Sequence, residues 1–240
     1  LFQEINPVIC RMICYPVLFT GLLFLFLLQS KAGVLIGLLI FLLLFVLWLN
    51  WHKKRYLLTA SLVVILLSSM VILFSHIHLP YRFQKAWMAI SQPHDELNHS
   101  HDGTLMRIAV WQTSWQLGKA NLPFGTGTGD VKKILLNSYA SQDMDFILEK
   151  QLNSHNQYLQ TFVVLGIPGL LALVLWLVLP FYMAVKKRAL LYALFLLIVS
   201  LNMLVESMLE TRAGVDFIAI MHPLLFLLIR HSQDHKTIQS

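Results

Sequence analysis

A histidine and an arginine stand out for chemistry. His155 lies in Asn153-Ser154-His155-Asn156-Gln157-Tyr158-Leu159-Gln160, a polar cluster that runs directly into an apolar stretch. Asn153 or Ser154 can cap a helix starting here, which puts the imidazole in the first turn, where the helix dipole disfavours positive charge. A neutral imidazole is what a general base for a hydroxyl group requires near neutral pH. The plain alternative is an interfacial histidine that anchors a helix. Arg107 carries a planar guanidinium fork suited to phosphate oxygens. Trp111 and Trp115 follow at four-residue intervals, on the same face of a helix, and offer rings for stacking sugars. Against this stands an ordinary amphipathic helix with tryptophans at a membrane interface. Two more cations fall in short turns. Lys31 can simply snorkel to a surface, and Arg212, between Glu206 and Glu210, can be a structural ion pair.

The elements that must position these groups are mostly apolar. Hydrophobic residues make up 57% of the 240 and charged ones 12%, which points to an all-α polytopic membrane protein. About six segments have the length and apolarity of spans, at 13–28, 33–49, 57–74, 169–185, 190–205 and 215–229. In lipid these must be helices, because an open strand leaves backbone groups unpaired. Lys53-Lys54-Arg55, Lys186-Lys187-Arg188, and Arg230 with Lys236 all fall on one side, the cytoplasmic one by the positive-inside rule. The Ser30-Lys31-Ala32 turn, a long loop ending at His155, and the Glu206–Arg212 turn then face outward. Within the long loop, helices are expected at 102–118, 130–139 and 143–152, with a turn-rich stretch over 121–129. Gly166-Ile167-Pro168-Gly169 should stop or kink the helix after His155, leaving 155–165 at the outer interface or as the top of one long kinked helix.

Several functions are disfavoured. The basic residues form no face with interleaved aromatics, so nucleic acid is not an expected partner. Cys10 and Cys14, one turn apart, suit a membrane helix better than a disulfide or zinc site. Gly125-Thr126-Gly127-Thr128-Gly129-Asp130 lacks the Gly-Lys-Ser/Thr of a nucleotide loop. His76, His78, His94, His99, His101 and Asp102 match no zinc spacing, so no metal is expected. The chain starts at Leu1 with no signal-peptide pattern, and upstream sequence is expected to be missing.

Taken in order, Arg107 to Trp111, Leu122-Pro123-Phe124-Gly125-Thr126-Gly127, His155-Asn156-Gln157-Tyr158-Leu159, Gly166-Ile167-Pro168-Gly169, Glu206 to Glu210 and Ala213-Gly214-Val215 resemble the O-antigen ligase and polymerase family of bacterial envelope proteins. The resemblance implies an inner-membrane glycosyltransferase, inverting and metal-independent with no cofactor. It would move a glycan from undecaprenyl diphosphate onto a lipid A-core or growing polysaccharide at the periplasmic face. His155 would be the catalytic histidine and Arg107 would bind the diphosphate. Lys31, Trp111, Asn156, Tyr158 and Arg212 are expected to bind substrate, with Lys31 standing where the family has arginine. The organisation implied is three spans over 1–75, a periplasmic loop over 76–155 carrying part of the site, an interfacial helix and three spans over 156–230, and a cytoplasmic tail over 231–240. A polymerase of the same superfamily would use the same residues. A transporter for a lipid-linked or small polar substrate would need ionisable groups in mid-membrane, and few are found there.

Overall fold

The computed structural model describes residues 36–37 and 103–238. Lys31, the histidine-rich segment, both cysteines and nearly all of the first three expected spans lie outside these residues. The described residues are all-α, with no strand. Their helices are α1 (Gly103–Ala120), α2 (Val131–Ala140), α3 (Asp145–Glu149), α4 (Gln157–Lys186), α5 (Leu190–Met203) and α6 (Arg212–Ile238), with a 3₁₀ turn at Met208–Glu210.

The three loop helices lie close to where the sequence puts them. The third, α3, is shorter than expected because Asp143 and Gln151 both take left-handed backbone, at φ 52° and 49°, and close it at either end. Leu105, Met106, Ala109 and Val110 of α1 bury against Val131, Leu135 and Tyr139 of α2 and Ile147 of α3. Burial pushes the Tyr139 hydroxyl well above its ordinary pKa range, so it stays neutral. Val163 and Val164, from the top of α4, complete this core. A second core forms lower down, where Leu173, Leu177 and Ala184 of α4 meet Tyr192, Leu196 and Val199 of α5 and Ile218 and Leu225 of α6. Helix α4 therefore belongs to both.

The boundary between the two cores is a kink, and it falls at Gly166 (φ 64°, ψ −152°), two residues before the proline. A bend there frees three backbone groups: the carbonyls of Val163 and Val164 and the N–H of Ile167. In a regular helix Ile167 would donate to Val163, and Val164 would be left empty by Pro168, which has no N–H. The turn-rich loop after α1 takes all three. Thr126 N donates to Val163 O at 2.8 Å, Gly127 N to Val164 O at 2.9 Å, and Ile167 N to Pro123 O at 2.9 Å. The glycine-rich stretch thus completes the hydrogen bonding of a broken helix, which explains why the break survives next to an apolar span.

Among the described residues, α4 is the one helix long and apolar enough to cross a membrane, with 30 residues or about 45 Å. The expected span at 190–205 is observed as the 14-residue α5, about 21 Å long, and that at 215–229 lies within α6. Leu171, Leu175 and Leu179 of α4, Leu191 of α5, and Ile220 and Leu227 of α6 turn large apolar side chains outward. The chain reverses at Lys187–Ala189 and returns, so the start of α4 and the turn after α5 share one end, while Lys186, Lys187 and Arg188 occupy the other.

Candidate active site

The segment before α4 is built almost entirely to hold backbone. Asn153 Oδ1 accepts from His155 N at 3.0 Å, and Ser154 N donates to Gln160 Oε1 at 3.2 Å. Ser154 is fully buried and its hydroxyl meets that of Ser114 on α1 at 2.9 Å. Asn156 is the N-cap of α4, accepting from Leu159 N at 3.1 Å. Buried Gln157 accepts from Leu209 N at 2.7 Å, tying the start of α4 to the 3₁₀ turn. Each of these polar side chains answers a local backbone or side-chain need.

His155 is different. It lies just before the cap, two residues ahead of Gln157 and not in the first turn, because Asn156 takes the cap and the Asn153 side chain bends the preceding backbone. Its φ is +44°, a left-handed conformation uncommon for a side chain with a Cβ and tolerated better by Asn, Asp and His than by most. The dipole argument from the sequence therefore gives way to a direct contact. His155 Nδ1 lies 3.2 Å from Glu206 Oε2. A carboxylate at that nitrogen favours the tautomer with hydrogen on Nδ1, which leaves the Nε2 lone pair open.

Arg107, the fifth residue of α1, donates from Nη2 to the other oxygen of the same carboxylate, Glu206 Oε1, at 2.6 Å. One carboxylate thus joins the two residues singled out by their chemistry, which are held on different elements. The side chains are 36% exposed at Arg107, 27% at His155 and 44% at Glu206, so the cluster is open to an incoming ligand. A pair this wet contributes about 0–1 kcal/mol, too little to be the reason for its geometry.

Glu206 was not among the expected site residues. In sequence it reads as a neighbour of Arg212, yet Arg212 pairs with Asp216 at 3.6 Å, one turn along α6, and is 94% exposed. The described contacts do not bring Arg212 to the cluster. Trp111 lies one turn from Arg107 on α1, and its indole N–H is buried with no hydrogen-bond partner among the described residues. Trp115 packs against Phe162 with ring centroids 5.3 Å apart, and Lys119 lies over its ring at 5.7 Å. Asn156 acts as a cap. The Tyr158 hydroxyl donates to Ser200 O on α5 at 3.1 Å. No group of three or more His, Cys, Asp or Glu is found together among the described residues.

A family profile described as O-antigen ligase matches residues 16–174, more than half of the chain's 240 residues. The chain belongs to the O-antigen ligase family. It is therefore an enzyme of the ligase and polymerase superfamily, whose members work at the bacterial inner membrane on lipid-linked glycans and polysaccharides. Searches of curated proteins and of solved structures gave no match. Within this O-antigen ligase family member, Leu122–Gly127 and Gly166–Gly169 are brought into direct backbone contact, and Arg107 and His155 onto one carboxylate.

The Tyr158 contact has a measurable consequence. Tyr158→Phe removes one hydrogen bond between α4 and α5 and leaves the Ser200 carbonyl without it, at a cost of about 0.5–1.5 kcal/mol. The expected result is a melting temperature lower by a few degrees with the donor KM unchanged, measured on purified protein. A raised donor KM at unchanged stability would instead assign the hydroxyl to substrate.

Proposed function

We propose that the protein transfers a glycan from undecaprenyl diphosphate to an acceptor hydroxyl at the periplasmic face, as an O-antigen ligase. The observation that carries this reading is the meeting of a phosphate-suited arginine and an oriented histidine at one exposed carboxylate. The acceptor oxygen attacks the anomeric carbon while the bond from that carbon to the diphosphate oxygen breaks. The bonding pair leaves on the diphosphate, and the hydroxyl proton passes to Nε2 of His155. Attack opposite to departure inverts the anomeric centre. Arg107 faces the charge that develops on the leaving diphosphate, the largest electrostatic demand of the step. Its guanidinium can meet that demand without a metal ion.

The exposed apolar faces of α4, α5 and α6 support a multi-pass helical bundle in the inner membrane, with the polyprenyl tail in lipid beside it. The common end of α4 and of the turn after α5, opposite the Lys186–Arg188 triplet, supports a periplasmic site under the positive-inside rule. In this reading 76–155 is the periplasmic loop, and Trp111, one turn from Arg107 on α1, lies near the headgroup and the sugars.

The test is made in cells and with purified protein. A strain lacking the gene, or carrying Arg107→Ala in the full-length protein, should show lipopolysaccharide without long chains while lipid-linked polymer accumulates. Purified full-length protein should transfer glycan with a divalent-metal chelator present throughout. Loss of the polymer itself would move the assignment to a polymerase acting through the same residues, and loss of transfer in chelator would overturn the metal-free step.

A further inference from the structure

We infer that Glu206 is a positioning residue that holds the donor's place on Arg107 and yields it when the diphosphate arrives. Donor binding then leaves the carboxylate to His155 alone. The inference rests on the reading of Arg107 and His155 given above.

The carboxylate stands on Arg107 as a competitor would. Glu206 Oε1 lies 2.6 Å from Arg107 Nη2 while Oε2 lies 3.2 Å from His155 Nδ1, so the closer contact is the one on arginine. It runs from one guanidinium nitrogen to one oxygen. A diphosphate offers several oxygens and more charge, and can engage the guanidinium at two nitrogens. All three side chains are more than a quarter exposed, so the exchange needs no core to open.

The backbone beneath the carboxylate is fixed while the side chain is not. Glu206 N donates to Asn202 O at 2.9 Å, and Leu209 N, three residues on, is held by the buried Gln157 side chain at 2.7 Å. Only rotation about the glutamate side chain is needed to release Arg107 and keep His155. The exchange moves no proton. The carboxylate stays anionic, His155 keeps its hydrogen on Nδ1, and the ion pair on arginine changes from carboxylate to diphosphate. When Nε2 later takes the acceptor proton, the imidazolium finds an undivided carboxylate at Nδ1. A base that gains its counter-charge only once the donor is seated favours transfer over idle chemistry.

This arrangement predicts opposite signs for binding and turnover. Full-length protein in lipid nanodiscs would be titrated with undecaprenyl diphosphate, and transfer measured separately. Glu206→Gln and Glu206→Ala remove the competing charge and should tighten undecaprenyl diphosphate about fivefold or more. The same variants should lower kcat about tenfold or more, because His155 loses its counter-charge. Weaker donor binding in either folded variant, or loss of the fold in both, would assign Glu206 to structure and overturn the inference. Arg107→Ala separates the two levels. If wild-type protein does not bind undecaprenyl diphosphate, or binds it equally well after Arg107→Ala, the proposed function itself fails and the exchange fails with it. If Arg107→Ala abolishes binding and Glu206→Gln also weakens it, the proposed function stands and only the exchange is lost.

Discussion

Replacing His155 should lower kcat about 10²–10⁴-fold with little change in donor affinity, which is the usual range for loss of a positioned general base. The asymmetry follows from the geometry. In the proposed reaction the phosphate partner is Arg107, on α1, whose guanidinium contacts Glu206 and not the imidazole. His155→Ala also places alanine at a left-handed residue, where it costs roughly 1 kcal/mol. His155→Asn is therefore the sharper variant, because asparagine tolerates that backbone and cannot act as the base. Both should leave the full-length protein inserted and folded, with Asn153, Ser154 and Asn156 still bonded to their backbone partners. The measurement is single-turnover transfer on purified protein, alongside gels of lipopolysaccharide from complemented cells. Wild-type glycan ladders with His155→Asn would show that the histidine does not carry the proton.

Much of this site is legible in the sequence, and the parts that are not share one physical cause. His155 and Arg107 announce themselves by residue type, polar surroundings and placement in loops between apolar stretches. Helices α1 and α2 follow from the turn residues that flank them, which act within a few positions, although Asp130 makes no side-chain cap hydrogen bond to α2. The sequence places the start of α4 two or three residues early because Asn153, Ser154 and Asn156 are all competent caps, and the burial of Ser154 against Ser114 takes it out of the choice. Glu206 was missed for a larger reason. Its nearest charges along the chain are Glu210 and Arg212, whereas its partners are 99 and 51 residues away. No periodicity reports a contact of that separation. The same holds for the glycine-rich loop, which reads as a turn in isolation and acquires its purpose only from carbonyls at Val163 and Val164.

That loop carries the second large expectation. Gly166→Ala should destabilise the protein by more than about 3 kcal/mol, a large part of the 5–15 kcal/mol that typically holds a domain together. Two effects combine. The φ and ψ of Gly166, 64° and −152°, fall in a region that is essentially closed to residues with a Cβ. A Cβ there would also run into the carbonyl of Pro123, which is backbone and cannot rotate away. Moving Pro123 breaks its bond to Ile167 N and draws Thr126 and Gly127 from the carbonyls they satisfy, leaving backbone groups unpaired beside an apolar span. The damage does not stay at the kink. Helix α4 leads from Gly166 back to the cap at Asn156, so releasing its upper turn frees His155 relative to Arg107 on α1. Loss of stability and loss of transfer should therefore appear together, unlike His155→Asn, which loses transfer alone. Gly129→Ala is the matched control. A Cβ at Gly129 meets nothing within 4 Å and its φ is not left-handed, so stability should change by no more than about 0.5 kcal/mol. Thermal unfolding of the two variants in detergent, with transfer measured on each, checks the argument. A Gly166→Ala protein as stable as Gly129→Ala would mean that the loop does not brace the break in α4.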